Sequence, residues 1–341
     1  MSDPLRALLA IMHEGRKLRP NQLEAAFRTL LNGEASAAQI GAFLMGLERQ
    51  TVDQAIITAG ARAMRAAMTP VKANRPCIDV CGTGGDGAHS LNISTAVAFV
   101  LAGGGQVVAK HGNRAMSSQS GAADVLEALG VNLALSPIAC AQALNEIGIA
   151  FLFAQVHHPA MVYVSSARKE LGFKTIFNLL GPLSNPAGAQ RQLIGVYSPH
   201  MSLPMAEALR EMGSQSAWIV HGAGGLDEVS LSGASLVTAL NDGAIETFEV
   251  HPNDLGLATV PVAALRGGNA HENAVQLLDL LKGQVGPYRD IVLLNAAAAL
   301  CAVGATSELK VGYDMARTSL DQGHALAKLD ALISFTTKNR A

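Results

Sequence analysis

The sequence predicts an α/β protein in which a small helical N-terminal domain is hinged to a larger domain with a mainly parallel central sheet flanked by helices. Apolar residues at helical spacing fill the first 70 residues, and from residue 76 onward short apolar strands alternate with helix-length segments. This alternation favours parallel strands joined by helices on both faces of a sheet. The pattern changes across Pro70–Pro76, where we place the hinge. We therefore assign 1–70 to the helical domain, with a later helical contribution around 160–188, and 76–341 to the α/β domain.

Four amphipathic helices are predicted in the N-terminal domain, because its apolar residues recur every three or four positions. Pro20 suits the first turn of the second helix, and Ser36 can cap the third. Pro70 ends the fourth helix. The predicted helices lie near residues 5–12, 21–31, 36–47 and 55–67.

The larger domain is predicted to alternate between strands and helices. Strands are predicted at 77–81, 106–109, 131–135, 149–153, 192–197 and 217–221. Helices are predicted at 94–102, 122–129, 137–147, 161–171 and 200–212. Residues 229–250 favour an antiparallel edge, and helices resume from residue 273 to the end. The segment 177–188 is rich in proline and glycine, which predicts a linker.

The composition argues against several classes of protein. The 341 residues carry a formal net charge of −2, which does not favour binding of nucleic acid through bulk positive charge. The four cysteines are scattered without a zinc or redox spacing, which favours reduced thiols. The N-terminus lacks the pattern of a signal peptide, and glycine and polar residues interrupt each apolar stretch before it reaches membrane-spanning length. We expect a soluble, cytoplasmic protein with neither a nucleic-acid nor a membrane partner.

The segment Ile78–Thr95 organises the chain. An apolar strand leads into four glycines between residues 82 and 87, and an apolar helix-length segment follows. Such a loop forms an anion site, because bare backbone can approach a phosphate and the first N–H groups of the helix point at it. Asn92, Ser94 and Thr95 can cap this helix or reach the ligand.

Other motifs match this segment less well. The letters GTGGDG fit the dinucleotide fingerprint, but the next predicted strand leads into the basic segment 110–114 and not into an acidic residue that would hold a ribose. No Gly-Lys-Ser/Thr follows the glycines, so the loop is not a P-loop. Asn92-Ile93-Ser94 matches a glycosylation sequon without other signs of secretion. A glycine turn that serves packing alone is the remaining alternative.

A basic and polar segment, Lys110–Ser118, follows the second predicted strand. It contains two cations, two hydroxyls and a glycine. These residue types at the carboxyl end of a strand suit a mobile loop that closes on phosphate groups. The alternative is an ordinary solvated loop.

Adjacent carboxylates, Asp227 and Glu228, stand in a glycine-rich loop after the predicted strand 217–221. Mg²⁺ prefers such hard oxygen ligands and keeps its remaining positions for water and phosphate oxygens. A pair of this kind is usually solvated surface when it stands alone. Beside two phosphate-binding segments, a metal site is the favoured interpretation.

The pair His157-His158 suggests zinc at first, but no third ligand follows at a suitable spacing. Arg168 comes eight residues after Ala160, about two helical turns later, and therefore lies on a related face. It is either a surface residue or a partner for an organic carboxylate.

Several motifs resemble, in order and over nearly the whole chain, those of the anthranilate phosphoribosyltransferase family: GTGGDG, NIST, KHGNR, HHPAM, KTIFNLLGPLSNPA, HGAGGLDE and RDIVLLNAAAAL. The resemblance implies the fold shared by nucleoside phosphorylases and these phosphoribosyltransferases. It also implies a homodimer through the helical domain and two Mg²⁺ ions per subunit. The implied reaction transfers the phosphoribosyl group of phosphoribosyl pyrophosphate to the amine of anthranilate, in tryptophan biosynthesis.

The resemblance further implies roles for individual residues. The phosphoribosyl pyrophosphate contacts would be Gly82, Gly85, Asp86, Ser90, Asn92, Ile93, Ser94, Thr95, Lys110, His111, Gly112, Asn113, Arg114, Ala115, Met116, Ser117, Ser118 and Ala122. The anthranilate contacts would be Gly82, Asn113 and Arg168, and the Mg²⁺ ligands would be Ser94, Asp227 and Glu228. Lys110, Asn113 and Arg168 would be catalytic. The chain departs from the usual family residues at Gln119, Ala122, Gln155 and Val162.

The implied chemistry agrees with these residue types. Displacing pyrophosphate needs a stabilised leaving group, which cations and backbone N–H groups supply. The aromatic amine is neutral at pH 7, so no strong general base is required, and catalysis depends on positioning. Two alternatives are a nucleoside phosphorylase of related architecture, in which Arg168 would face a base, and a non-catalytic relative that binds nucleic acid. The near-neutral charge and the intact basic segment argue against the second.

Overall fold

The computed structural model describes residues 4–115 and 119–339. Its strands are β1 (Ile78–Gly82), β2 (Val108–Gly112), β3 (Ile149–Phe153), β4 (Arg191–Gly195), β5 (Ser216–His221), β6 (Ser235–Asn241) and β7 (Ala244–Val250). They form one sheet in the order β3-β2-β1-β4-β5-β6-β7. The first five strands are parallel, and β6 and β7 add antiparallel pairs at one edge. This confirms the mainly parallel sheet with an antiparallel edge.

The N-terminal helices are α1 (Pro4–His13), α2 (Pro20–Leu31), α3 (Ala37–Glu48) and α4 (Gln54–Ala67). All four were predicted. Ser36 caps α3, since its hydroxyl accepts a hydrogen bond from the Gln39 N–H at 3.3 Å. Phe27 and Phe43 meet edge to face in the core of this bundle, with ring centres 5.3 Å apart.

The remaining helices flank the sheet or extend the bundle. They are α5 (Ile93–Gly103), α6 (Ala122–Ala128), α7 (Pro137–Glu146), α8 (Ala154–His157), α9 (Val162–Leu171), α10 (Ile176–Leu180), α11 (Ser202–Glu211), α12 (Ala270–Leu281), α13 (Pro287–Ala302), α14 (Leu309–Asp321) and α15 (His324–Lys338). Successive strand residues face opposite sides. Leu193 therefore packs in the core that contains α5 and α13, and Ile194 packs in the core that contains α10 and α11.

Helices α9 and α10 share a core with the N-terminal bundle. Val164, Phe177 and Leu180 are buried in the same cluster as Phe27. The later helical contribution was expected around 160–188, where these helices lie. The same cluster continues to Ile194 in the sheet, so the domain boundary at the hinge stays a prediction.

The segment 131–135 is not a strand, and its prediction was wrong. Val131, Leu133 and Leu135 are buried, as their alternation required. However, the Asn132 N–H donates to the Thr336 hydroxyl of α15 at 3.1 Å. The segment therefore lies against the last helix, and its backbone does not join the sheet.

The segment 177–188 is not a simple linker. It begins inside α10, and Asn185 within it is only 2% exposed. The Asn185 side-chain amide donates to Asp79 Oδ2 and to the Ala109 carbonyl, both at 2.8 Å. Proline and glycine interrupt the helix here, but the hydrogen bonds pin the segment to β1 and β2.

Two further expectations concern the cysteines and the apolar segments. The four cysteines are free thiols, as expected. In the part of the chain that the structure describes, no helix combines the length and the apolar character needed to cross a membrane.

Candidate active site

The site lies at the carboxyl ends of β1 and β4. These strands are neighbours, but the chain continues from β1 to one side of the sheet and from β4 to the other, and ligands bind at such a switch point. Gly82 and Gly195 end the two strands as register partners. A Cβ atom on Gly195 would stand 1.5 Å from the Asp227 carbonyl oxygen, and one on Gly82 would stand 2.3 Å from Asp227 Oδ2. Glycine at both positions therefore admits the acidic loop over the strand ends.

The glycine loop turns through left-handed backbone conformations. Gly84 and Gly85 have φ angles of +67° and +75°. The Gly84 N–H donates to Asp227 Oδ2 at 2.7 Å, which ties the loop to the acidic pair. A Cβ on Gly85 would lie 2.8 Å from the Lys174 stem, and the Lys174 ammonium lies 4.1 Å from the centre of the Tyr197 ring. Lys174 begins the quoted motif KTIFNLLGPLSNPA, but it was not among the predicted site residues, because nothing in the sequence shows that it lies against the glycine loop.

The end of the glycine loop is hydrogen-bonded to the segment that precedes α12. Ser90 forms an isolated β-bridge with Arg266, and the Leu91 N–H donates to the Leu265 carbonyl at 2.9 Å. These residues precede α12. The segment before α12 therefore braces the predicted phosphate loop.

Helix α5 begins at Ile93 directly behind the loop. Its N-cap residue Asn92 makes no side-chain cap hydrogen bond. The Ser94 hydroxyl accepts from Lys110 Nζ at 3.2 Å, and Thr95 Oγ1 is buried without a hydrogen-bond partner in the described residues. An uncapped helix N-terminus with a buried hydroxyl that lacks a partner suits an anionic ligand.

The predicted loop Lys110–Ser118 starts later than expected. Lys110, His111 and Gly112 belong to β2, because their backbone pairs with β3 and Asp79 Oδ1 accepts from the His111 N–H at 3.1 Å. Lys110 is only 4% exposed. The loop therefore begins at Asn113. Met116, Ser117 and Ser118 lie outside the described residues.

Arg114 lies close to carboxylates of α6. Its guanidinium pairs with Asp124 at 3.0 Å and with Glu127 at 2.8 Å, and these partners raise its pKa. The Ala115 N–H also donates to Asp124, at 2.9 Å. Ala122 begins α6, so its backbone stands at the base of this loop. The three hydrogen bonds from the guanidinium to these carboxylates come from Nη1 and Nη2, so Arg114 can contact a phosphate through its other N–H groups or by exchanging an acidic partner.

Asp86, Asp227 and Glu228 form a cluster of acidic side chains, of which Glu228 is buried and the other two are half-buried. Burial, followed by the charge of Asp86, raises the pKa of Asp227 to about 7. Burial and the neighbouring Asp227 also raise the pKa of Glu228, while Lys110 and the Ser94 backbone amide lower it. One Asp86 oxygen is buried without a hydrogen-bond partner in the described chain. Clustered carboxylates whose negative charges raise one another's pKa values fit a divalent cation.

The same residues do not form a complete metal cage. Within residues 4–115 and 119–339, no three His, Cys, Asp or Glu side chains are arranged to hold a metal ion. Mg²⁺ usually keeps several ligands from water and phosphate. The donor set therefore fits a magnesium ion that shares its coordination with a phosphate-bearing ligand.

A cavity of about 600 Å³ adjoins the glycine loop on the side of α9 and α10. Gly82, Asn113 and Arg168 line it, so the structure brings together the three predicted anthranilate contacts. The Arg168 guanidinium lies 5.4 Å from the centre of the Phe177 ring, and Nη2 lies 3.5 Å from Asn178 Oδ1. Burial lowers the pKa of Arg168. A half-buried guanidinium beside an aromatic ring suits a planar carboxylate.

Two histidines form part of the cavity wall. The Nε2 atoms of His111 and His158 lie 3.2 Å apart. Burial, followed by the nearby His157, lowers the pKa of His158 to about 4, so its ring is neutral at pH 7. His157 turns elsewhere, since its Nδ1 lies 3.0 Å from the Thr69 carbonyl oxygen. The two adjacent histidines therefore do not form a zinc site. The position of His158 in the cavity wall was not predicted, because its partner His111 is 47 residues away in the sequence.

Comparison with known proteins agrees with this geometry. Residues 6–68 match the helical bundle domain of a glycosyl transferase family, and residues 74–326 match its a/b domain. The anthranilate phosphoribosyltransferase of Phenylobacterium zucineum is 51% identical over 336 residues, covering 98% of this chain and 99% of that protein. These relatives favour a phosphoribosyltransferase over the nucleoside phosphorylase and nucleic-acid-binding alternatives.

Solved structures give the same result. The anthranilate phosphoribosyltransferase of Thermus thermophilus superposes with a TM-score of 0.92 at 42% identity, covering 98% of this chain and all of that one. The Saccharomyces cerevisiae enzyme, in complex with PRPP and Mg, superposes with a TM-score of 0.90 at 29% identity and 98% coverage of both chains. The chain therefore belongs to the anthranilate phosphoribosyltransferase family, whose members are enzymes of the glycosyltransferase type.

Proposed function

We propose that this chain transfers the phosphoribosyl group of phosphoribosyl pyrophosphate to the amine of anthranilate, giving N-(5-phosphoribosyl)anthranilate and pyrophosphate in tryptophan biosynthesis. The observation that carries the proposal is one juxtaposition. Gly82 lies beside Asp227 of the acidic loop and also lines the cavity that contains Arg168. This position supports the proposal, because the proposed phosphate-binding side and the proposed carboxylate-binding side would then meet at the end of β1, where the reacting carbon and the amine must meet.

In the proposed complex, the glycine loop, the start of α5 and the loop after β2 hold the phosphoribosyl pyrophosphate through the contacts predicted above. Ser94, Asp227 and Glu228 would hold magnesium, with two ions per subunit. Magnesium bound there would neutralise the pyrophosphate as it leaves. The buried Lys110, whose Nζ lies 3.2 Å from Ser94 Oγ, would add positive charge below the same group.

The acceptor would lie in the cavity, with its carboxylate on Arg168 and its ring near Gly82 and Asn113. In the transfer step, the bond from ribose C1 to the pyrophosphate oxygen breaks, the bond from C1 to the amine nitrogen forms, and the nitrogen releases one proton. A neutral amine needs no strong base. The role of this chain is thus to orient two substrates and to stabilise the leaving charge.

We also propose a homodimer through the helical domain, in the cytoplasm. Met45 of α3 and Val162 and Tyr163 of α9 are exposed large apolar residues on neighbouring helices. Burial of such residues between two copies would remove apolar surface from water. Sedimentation of the wild type and of Val162→Glu tests this, because the charged variant is expected to sediment as a monomer with its helical content unchanged.

The reaction is tested by following the fluorescence of anthranilate. We expect it to disappear only when phosphoribosyl pyrophosphate and Mg²⁺ are both present, with release of pyrophosphate. Phosphorolysis of a nucleoside, with no consumption of anthranilate, would instead support the nucleoside phosphorylase alternative.

A further inference from the structure

Two side chains outside the predicted site hold Asn92 at the start of α5. Asn273 of α12 donates from Nδ2 to Asn92 Oδ1 at 2.9 Å, and the Tyr288 hydroxyl of α13 donates to the Asn92 carbonyl at 3.2 Å. Asn273 is 2% exposed and Tyr288 is 9% exposed. Both lie more than 180 residues away from Asn92 in the sequence, and no motif above includes Asn273.

The hydrogen bonds of Asn273 fix which way both amides point. The Gly268 N–H can only donate, and its partner 2.7 Å away is Asn273 Oδ1. The other end of the Asn273 amide, the Nδ2 donor, therefore faces Asn92. Asn92 must therefore present its acceptor Oδ1 to Asn273. Its own two N–H bonds then point away from Asn273. No described residue accepts a hydrogen bond from Asn92 Nδ2.

We propose that Asn273 is a positioning residue that orients Asn92 as a hydrogen-bond donor to the phosphates of phosphoribosyl pyrophosphate. A phosphate oxygen accepts hydrogen bonds, so an asparagine beside it contributes only when its N–H groups face it. The Gly268 N–H fixes the orientation of the Asn273 amide, and the Asn273 amide in turn fixes the orientation of Asn92 towards the ligand. This inference rests on the proposed function and adds a residue to it.

The substitution Asn273→Asp reverses this orientation with almost no change of shape. One carboxylate oxygen still accepts from Gly268, and the other presents an acceptor to Asn92, whose amide must rotate to donate to it. Asn92 Oδ1 then faces the phosphate. We expect the KM for phosphoribosyl pyrophosphate to rise about 10-fold or more, and the KM for anthranilate to change by less than about 2-fold.

Asn269→Asp is the matched control. It places the same charge on the same helix, where Asn269 Oδ1 only caps α12 by accepting from the His271 and Glu272 N–H groups. Because aspartate caps a helix as well as asparagine, both KM values should stay within about 2-fold of the wild type.

A double-mutant cycle with Asn92→Ala distinguishes an effect on the orientation of Asn92 from direct repulsion between the new carboxylate and the phosphates. If Asn273 acts through Asn92, adding Asn273→Asp to Asn92→Ala has no further effect on the dissociation constant for phosphoribosyl pyrophosphate. An equal loss in both backgrounds would overturn the proposal, because direct charge repulsion would then explain the effect. Asn273→Ala provides a second variant if Asn273→Asp does not fold, and it should weaken the same substrate selectively.

Calorimetric titration of the wild type distinguishes a failure of the proposed function from a failure of the proposed role of Asn273. If the wild type does not bind phosphoribosyl pyrophosphate with Mg²⁺, the proposed function fails. If the wild type binds and folded Asn273→Asp or Asn273→Ala variants bind equally well, only the role of Asn273 fails.

Discussion

The Nζ atom of Lys110 donates to the Val80 carbonyl oxygen at 2.8 Å. This bond crosses from β2 to β1 and places a buried cation directly beneath the glycine loop. The charge of Lys110 lowers the pKa of Asp79 and Glu228 against the larger effect of burial. Lys110 therefore helps to hold the strand ends together even before any phosphate binds.

Lys110→Met should lower the free energy of unfolding by about 1–3 kcal/mol, because the Val80 carbonyl loses a charged donor and two buried acids lose a nearby cation. Affinity for phosphoribosyl pyrophosphate should fall as well. Chemical denaturation and substrate titration measure the two effects. Lys72→Met, at an exposed position, is the control. Unchanged stability with weakened binding would show that Lys110 acts on the substrate and does not stabilise the strand ends.

Arg168→Ala should reduce kcat/KM for anthranilate roughly 10- to 150-fold, because a charged hydrogen bond to the carboxylate is lost. Arg168→Lys should not restore it, since an ammonium cannot form two parallel bonds. Affinity for phosphoribosyl pyrophosphate should hardly change. Lys169→Ala, on the exposed side of the same helix, is the control. Wild-type anthranilate kinetics in a stable Arg168→Ala variant would remove this residue from the site.

The double variant Asp227→Asn with Glu228→Gln should fold and be at least as stable as the wild type without metal, because two neighbouring carboxylates with raised pKa values become neutral. It should lose Mg²⁺-dependent binding of phosphoribosyl pyrophosphate. Thermal unfolding with and without Mg²⁺, together with titration of the substrate, checks both parts. An unchanged titration would contradict the assignment of these residues as metal ligands.

Buried His158 makes stability depend on pH. Its pKa is about 4 in the folded chain against an ordinary value of 6.5, so between these values the unfolded chain binds a proton that the folded chain does not. The contribution of this histidine to the free energy of unfolding should therefore fall as pH decreases from 6.5 towards 4, by roughly 1 kcal/mol per pH unit, and stay level above that window. Denaturation at several pH values should show a smaller slope for His158→Gln. The exposed His271→Gln should leave the slope unchanged, and an unchanged slope in His158→Gln would disprove the assignment.

Local patterns in the sequence determined much of this protein. The period of the apolar residues predicted the N-terminal helices, and the glycines after β1 predicted a turn of bare backbone, in which Gly84 and Gly85 have left-handed conformations. Both features depend on neighbours only a few residues apart. The motifs also indicated that Gly82, Asn113 and Arg168 belong to one site, and they line one cavity.

Tertiary structure alone decided where several polar groups find their partners. The apolar alternation of 131–135 predicted burial correctly, but only the position of Thr336 turned its backbone away from the sheet. Lys110 and Arg114 are both basic residues of one sequence motif. In the structure, Lys110 is buried against β1, whereas Arg114 pairs with acidic residues of α6. Hydrogen-bond partners are set by atoms that the fold brings together across long stretches of chain. For that reason the contact of Asn273 with Asn92, across 181 residues, could not be predicted from either segment alone.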